Sequence, residues 1–300
     1  MLFKSLRIPL LLSVLLISGA FRLYALEQPA QDSDQQIRDF SLSGFGEKGK
    51  KTWDLSGKSA DIFDEVVKLK DVIGNLYGEK EDIQLTADKG DFNKLDAKVH
   101  LEDNVVITTS SGTKLTTDSL DWDRKKQLVS TKDQVNIERE SMVTEALGAY
   151  GQPNLNKVTL EKDVTVNINP ATNPNTASSA KEKIIITCDG PLEIDYEKNI
   201  ATFKNNVKVE NKDSSIYSDI MDVYFFTSDK SGPKSDSSTM LMGSKIEKIV
   251  SRGNVKIVRG ENTSYSDEAV YTAADKKIVL SGRPKLIIYS TEGLNAPAGN

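Results

Sequence analysis

Residues 186–209 read ITCDGPLEIDYEKNIATFKNNVKV. Leu192, Ile194 and Tyr196 alternate with Glu193 and Asp195, and Val207 and Val209 flank Lys208. An apolar residue at every second position marks a strand with one buried face. The stretch has four parts: an apolar run ending in an acid (Ile186-Thr187-Cys188-Asp189), a second apolar run (Ile200-Ala201-Thr202-Phe203), a polar turn, and a closing Val-x-Val.

Outward from this stretch the same order recurs. Before it stand Ile83–Asp88 with Val99–Leu101 and Asn104–Ile107, then Leu115–Asp118 with Leu128–Ser130 and Val135–Ile137. A degraded third copy holds Val143–Ala146, Val158–Leu160 and Val164–Val166. After it stand Ile216–Asp219 with Ile249–Ser251 and Gly253–Ile257, then Tyr265–Asp267 with Ile278–Leu280 and Pro284–Ile288. The acid precedes the closing residue by 17 positions at Asp88 and Asp118, 19 at Glu145, 18 at Asp189 and 17 at Asp267. Spacing held this steadily predicts six units, each strand, turn, strand, turn, strand, with turns at Asp88-Lys89-Gly90 and Ser110-Ser111-Gly112. The fold class is all-β, a jelly roll or an elongated sandwich. Its first and last strands stay unpaired and open to strand addition. Ile62, Val66, Leu69 and Ile73 stand at helical spacing, which allows one short helix there.

Lys4 and Arg7 precede an apolar run from Ile8 to Phe21, so residues 1–26 read as a signal peptide or a single transmembrane anchor helix. Ser18-Gly19-Ala20 offers a cleavage site. The run spans about 21 Å as helix against a hydrocarbon core of about 30 Å, and both readings stay open. Either one sends everything after residue 27 out of the cytoplasm. Asn167 to Lys183, NINPATNPNTASSAKEK, is the clearest linker. It divides a domain over 27–166 from one over 184–292, three copies in each, with a tail over 293–300. Thr227–Thr239 reads as a loop inside the fifth copy.

The net charge of −5 offers no basic field to nucleic acid. One histidine, His100, and one cysteine, Cys188, exclude metal sites built from several His or Cys ligands and any internal disulfide. Cys188 reads as a buried thiol. A hydrophobic content of 38% suits a thin or open core. Gly44-Phe45-Gly46-Glu47-Lys48-Gly49 has the letters of a nucleotide loop, but Thr52-Trp53-Asp54-Leu55 after it reads as strand, so the segment is a hairpin turn behind Phe40-Ser41-Leu42. The six repeated acids read as structural groups that accept from nearby backbone donors. Trp53 and Trp122 read as core anchors. No nucleophile arrangement or convergent carboxylate pair is visible, so no catalytic residue, cofactor or metal is assigned and the chain is not expected to be an enzyme.

Phe40–Gly44, Gly49–Leu55, Lys58-Ser59-Ala60 and Leu115–Trp122 resemble the LptC family of lipopolysaccharide-export proteins, over residues 36–166. Asn206–Val209, Gly253–Ile257 and Leu280–Leu286 resemble the LptA or OstA-like family, over 183–292. The resemblance implies two consecutive twisted β-jellyroll domains fused in one chain. It also implies a periplasmic bridge, with residues 5–26 as an inner-membrane anchor, that carries lipopolysaccharide along an apolar interior. The partners implied are the inner-membrane ABC transporter complex, which supplies the energy, and other OstA-like domains or the outer-membrane translocon joined by edge-strand addition. At about 0.8 kcal/mol per methylene, a 12-carbon chain in water costs on the order of 10 kcal/mol, so such cargo needs a continuous apolar track. The expected lining is Val105, Ile107, Leu115, Ile186, Leu192, Ile194, Phe203, Val207, Val209, Val223 and Phe225. A structural envelope protein with a dry core and no cargo is the alternative.

Overall fold

Period-two alternation this long produces long antiparallel strands. The computed structural model describes residues 35–46, 49–78, 81–152, 157–169, 183–226, 240–241 and 244–289. The N-terminal apolar segment, most of the linker, the 227–239 stretch and the tail lie outside them. The first nine strands are β1 (Gln35–Phe45), β2 (Lys51–Ile62), β3 (Val66–Tyr77), β4 (Asp82–Asn93), β5 (Lys98–Thr109), β6 (Lys114–Asp123), β7 (Leu128–Arg139), β8 (Met142–Gln152) and β9 (Lys157–Ile168). The remaining nine are β10 (Ile184–Cys188), β11 (Leu192–Asp195), β12 (Ile200–Glu210), β13 (Ser214–Phe226), β14 (Met240–Leu241), β15 (Ser244–Arg259), β16 (Asn262–Thr272), β17 (Lys277–Ser281) and β18 (Lys285–Ile287). No α-helix occurs among the described residues.

Each strand pairs antiparallel with its chain neighbour, with three variations. β10 and β11 lie end to end between β9 and β12. β13 pairs directly with β15, on which the short β14 folds back. β17 and β18 lie end to end on β16. One sheet therefore runs through both halves of the chain, and its two edges are β1 at one end and β17 with β18 at the other.

The expected unit of three short strands is instead two long bent ones. Val99–Leu101 and Val105–Ile107 are one strand, β5, which bends at Asp103 and Asn104, whose φ values are 62° and 53°. The register shifts there, two residues opposing one on β6. The same bulge occurs at Asn205 and Asn206 in β12 and at Gly253 and Asn254 in β15, all with positive φ. A β-bulge bends the strand without ending its ladder. The residue following each bend is fully buried: Val105, Val207 and Val255 are 0–1% exposed, as is Val164 behind Asp163. On the partner strand the residue before the acid is small and buried, as at Ala87, Thr117, Cys188, Ser218 and Ser266. Cys188 is buried as expected, and burial pushes its thiol pKa up.

Three of the six repeated acids, Asp88, Asp189 and Asp219, serve this bend, with a different partner from the one expected. Asn104 Nδ2 donates to Asp88 at 2.6 Å, Asn206 to Asp189 at 2.5 Å and Asn254 to Asp219 at 2.9 Å. The donors are cross-strand side-chain amides, because the bulge turns them toward the acid. Gly253 is required at its bend: a Cβ there would lie 2.4 Å from the Asp219 carboxylate. Backbone donors are instead capped at the hairpin turns, where Asn93, Asp123 and Asp195 accept from amides two or three residues on.

Three further expectations need correction. The segment around Leu69 is strand β3, not helix. A bend at Asp71 (φ 51°), where neither neighbouring ladder shifts register, turns Leu69 and Val72 inward and leaves Ile73 exposed, so the helical spacing of Leu69 and Ile73 marks no common face. Asp88-Lys89-Gly90 lies inside β4 and is no chain reversal, whereas Ser110-Ser111-Gly112 does turn the chain. Trp53 is 37% exposed on β2, next to the edge strand, so too few strands surround it to make it a core anchor. The Gly44–Gly49 segment does connect a hairpin, β1 with β2.

The bends depend on residues that accept positive φ. Asn254→Val is expected to cost about 2–4 kcal/mol, because a β-branched residue is strained there and the Asp219 bond is lost. Asn254→Gly should cost only about 1 kcal/mol. Urea unfolding of both variants checks this. Equal stability would show that the left-handed bend is not what matters at this position.

Candidate functional site

Alternation along each strand places one set of side chains inside, and the bend divides that set between two arms. Before the bend, cross-strand register aligns Ala60, Leu69, Gly90, Leu101 and Leu120. The row resumes with Thr131, Ala149, Leu160, Leu192, Phe203, Met221, Ser251 and Ala269. Beyond the bend a second row runs without a break from Leu42 and Leu55 through Gly74, Leu85, Ile107, Leu115, Ile137 and Thr144. It continues through Val166, Ile186, Val209, Ile216, Ile257 and Ser264 to Leu286. The rows face one another: Leu160, Leu192 and Phe203 from the first line the same small cavity as Ile137, Thr144 and Val166 from the second.

All eleven expected lining residues lie in or against this interior. Val105 and Val207 sit at bends. Ile107, Leu115, Ile186 and Val209 belong to the second row, and Leu192 and Phe203 to the first. Ile194 and Val223 lie on an adjoining row with Ala201 between them. Phe225 stands near the rim, edge-on to Tyr196 with ring centroids 6.4 Å apart. Sequence reading missed Leu85, Leu160, Val166, Met221 and Ile257; alternation along the strand leads from Val223 to Met221 and from Val255 to Ile257, while Leu85, Leu160 and Val166 are reached through cross-strand register from Ile107, Leu192 and Ile186.

Space inside is uneven. Between β7 and β12 the cavity is about 10 Å³, room for roughly one water. Along the second row Ile137, Thr144, Val166 and Ile186 are buried, positions on either side are half-buried, and Leu42 and Leu286 at the ends are exposed. The arms are thus closed on each other at mid-sheet and more open toward both ends. The packed cluster there takes Leu160, Val164 and Val166 from before the linker and Ile186, Phe203 and Val223 from after it. The expected boundary at 167–183 therefore falls between two strands that are hydrogen-bonded partners.

The larger cleft, about 460 Å³, lies beside His100 and is lined by Asp91, Asp121, Asp123, Trp122 and Leu128 among others. His100 Nδ1 lies 2.7 Å from Asp121 and Nε2 3.0 Å from Glu102. Burial would lower its pKa, but the two carboxylates outweigh that and raise it above the ordinary imidazole value. Among the described residues no group of three or more His, Cys, Asp or Glu side chains is arranged to hold a metal ion.

Comparison with known proteins agrees with this geometry. The family model "Lipopolysaccharide-assembly, LptC-related" matches residues 10–169, more than half of the chain. The model "LptA/(LptD N-terminal domain) LPS transport protein" matches residues 190–295. No curated protein matches the chain. The two matched regions cover β1 to β9 and β11 to β18, and the all-β jellyroll-type architecture suits both. This chain belongs to the LptC-related family of lipopolysaccharide assembly and carries a region of the LptA and LptD N-terminal kind behind it, with a role in lipopolysaccharide transport.

Proposed function

We propose that the chain is a non-catalytic bridge in the periplasm that holds the acyl chains of lipopolysaccharide between its two interior rows. The observation that carries this reading is the unbroken second row. At about 4.8 Å per strand, its fifteen positions from Leu42 to Leu286 extend roughly 65 Å perpendicular to the strands. A track in that direction delivers cargo from one sheet edge to the other. Both edges expose apolar side chains, Ile37, Leu42 and Phe45 on β1 and Ile278, Val279 and Leu286 on β17 and β18. Unpaired strands of this kind accept a further strand from a partner. In this reading the partners are an OstA-like domain or the outer-membrane translocon at one edge and the inner-membrane transporter complex at the other. Residues 5–26 would tether the chain to the inner membrane, and the transporter's ATPase supplies the energy.

The closed mid-sheet favours one competing reading, a structural envelope protein with a dry core. Ligand pockets run from about 300 Å³ upward, so a bridge must part its arms between β7 and β12 to let an acyl chain through.

Photoreactive residues separate the two. Placed at Ile107, Val209 or Ile216 they should capture lipopolysaccharide in cells, while one at the outward Lys204 should not. Capture of protein alone at all three inward sites would sink the bridge and leave the dry core. Phe203→Ala removes the largest fully buried side chain and is expected to cost about 3–5 kcal/mol. If mid-sheet closure limits passage, the folded variant captures more lipid at Val209 than the parent does, and reduced capture contradicts that.

A further inference from the structure

The reverse side of the second row carries a charge pattern that the fold does not require. The outward row begins Ser41, Ser56, Ile73 and continues to Thr165 and Thr187 without a lysine, arginine or aromatic residue. In the second half the same row reads Lys208, Tyr217, Lys256, Tyr265, Lys285 on five successive strands. Lys208 and Lys256 lie 5.7 and 5.6 Å from the centre of the Tyr217 ring. Lys208 also pairs with Glu210 at 2.6 Å, whereas Lys256 and Lys285 have no ion pair among the described residues. Tyr265 is exposed. Strand spacing sets the lysines roughly 10 Å apart, with a ring between each pair.

We propose that this ladder binds the phosphorylated saccharide of the lipopolysaccharide cargo, an inference that rests on the function proposed above. Ammonium groups act as point charges for phosphates, and the intervening tyrosines present flat amphipathic faces to sugar rings. The positive line is one residue wide except at Arg283, which lies two residues before Lys285 and pairs with Asp267 at 3.5 Å. Asp219 and Asp267 border it on one side and Glu210 on the other, two residues along the same strands. A flat anionic membrane or a nucleic acid would meet those acids, and a slender phosphorylated chain would not. The ladder lies three residues, roughly 10 Å, from the hairpin ends at Arg259 and Asn262. A headgroup leaving the interior between the arms can fold over that rim and reach it while its acyl chains stay inside.

Calorimetry on the full chain tests this with saccharide freed of acyl chains, phosphates retained or removed. The phosphorylated form should bind, more weakly as salt rises, and the dephosphorylated form should not. Lys256→Gln and Lys285→Gln should each weaken binding about fivefold and together about 25-fold. Lys204→Gln, on the other arm, should change nothing, and the thermal midpoint should hold in every variant. No binding, binding unmoved by the double variant, or equal binding of polyglutamate overturns the ladder as a saccharide site. Lipid capture at Val209 keeps the two ideas apart. If it persists while saccharide binding is absent, only the ladder fails, and if both are absent the bridge fails as well.

Discussion

A left-handed residue placed directly before a buried valine, its amide held by the carboxylate of the next strand, is the contact on which this sheet depends. Without it the strands would run straight and bury one side chain in two along a single face. With it each strand belongs to two arms, and the residues on either side of the bend meet across an interior. The left-handed conformation costs about 1–2 kcal/mol for most residues. Asn and Gly lessen that cost, and the Asn–Asp bond and the packing of the valine offset the remainder. The small residue before each acid follows from the same geometry, because it lies beneath that valine.

Much of this was legible in the chain. The acid-to-valine spacing located the bends between Asp88 and Pro284, and the closing valines include the most buried residues in the protein. Period-two alternation placed all eleven candidate lining residues on the interior. Three features were not legible, for one shared reason. The bend changes which side chains face inward, so strict alternation lapses there, and the lapse resembles a turn at Asp88–Gly90, a helix over Ile62, Val66, Leu69 and Ile73, and the end of a strand at Asp103. The bend at Asp71 was hidden because its buried residue, Val72, has no Val-x-Val behind it. How far the arms stand apart was also beyond sequence, since closure between Ile137 and Phe203 depends on how side chains from distant strands interlock.

The two faces of the second-arm sheet have separate chemistry. Inside, Val209, Ile216 and Ile257 repeat an apolar surface that continues across the whole chain. Outside, the equivalent row carries one charged residue, Glu145, in the LptC-related half and becomes Lys and Tyr in the half that follows. Cation and aromatic pairs stabilise a sheet to a modest degree wherever they occur, as at Lys51 with Tyr77 in the first half, but only in the second half do they line up along this one row. The chain as a whole is acidic, which makes a narrow basic line on it a local feature.

The pairing of β9 with β10 and β11 has one more consequence. Where two jellyroll proteins meet edge to edge as separate molecules, the fraction joined obeys mass action and falls on dilution. Here both partners are on one polypeptide, so the joint forms at an effective concentration fixed by the connecting segment, and not by expression level. Its occupancy is therefore the same whether a cell holds few copies or many, and the stoichiometry of its two halves is always one to one.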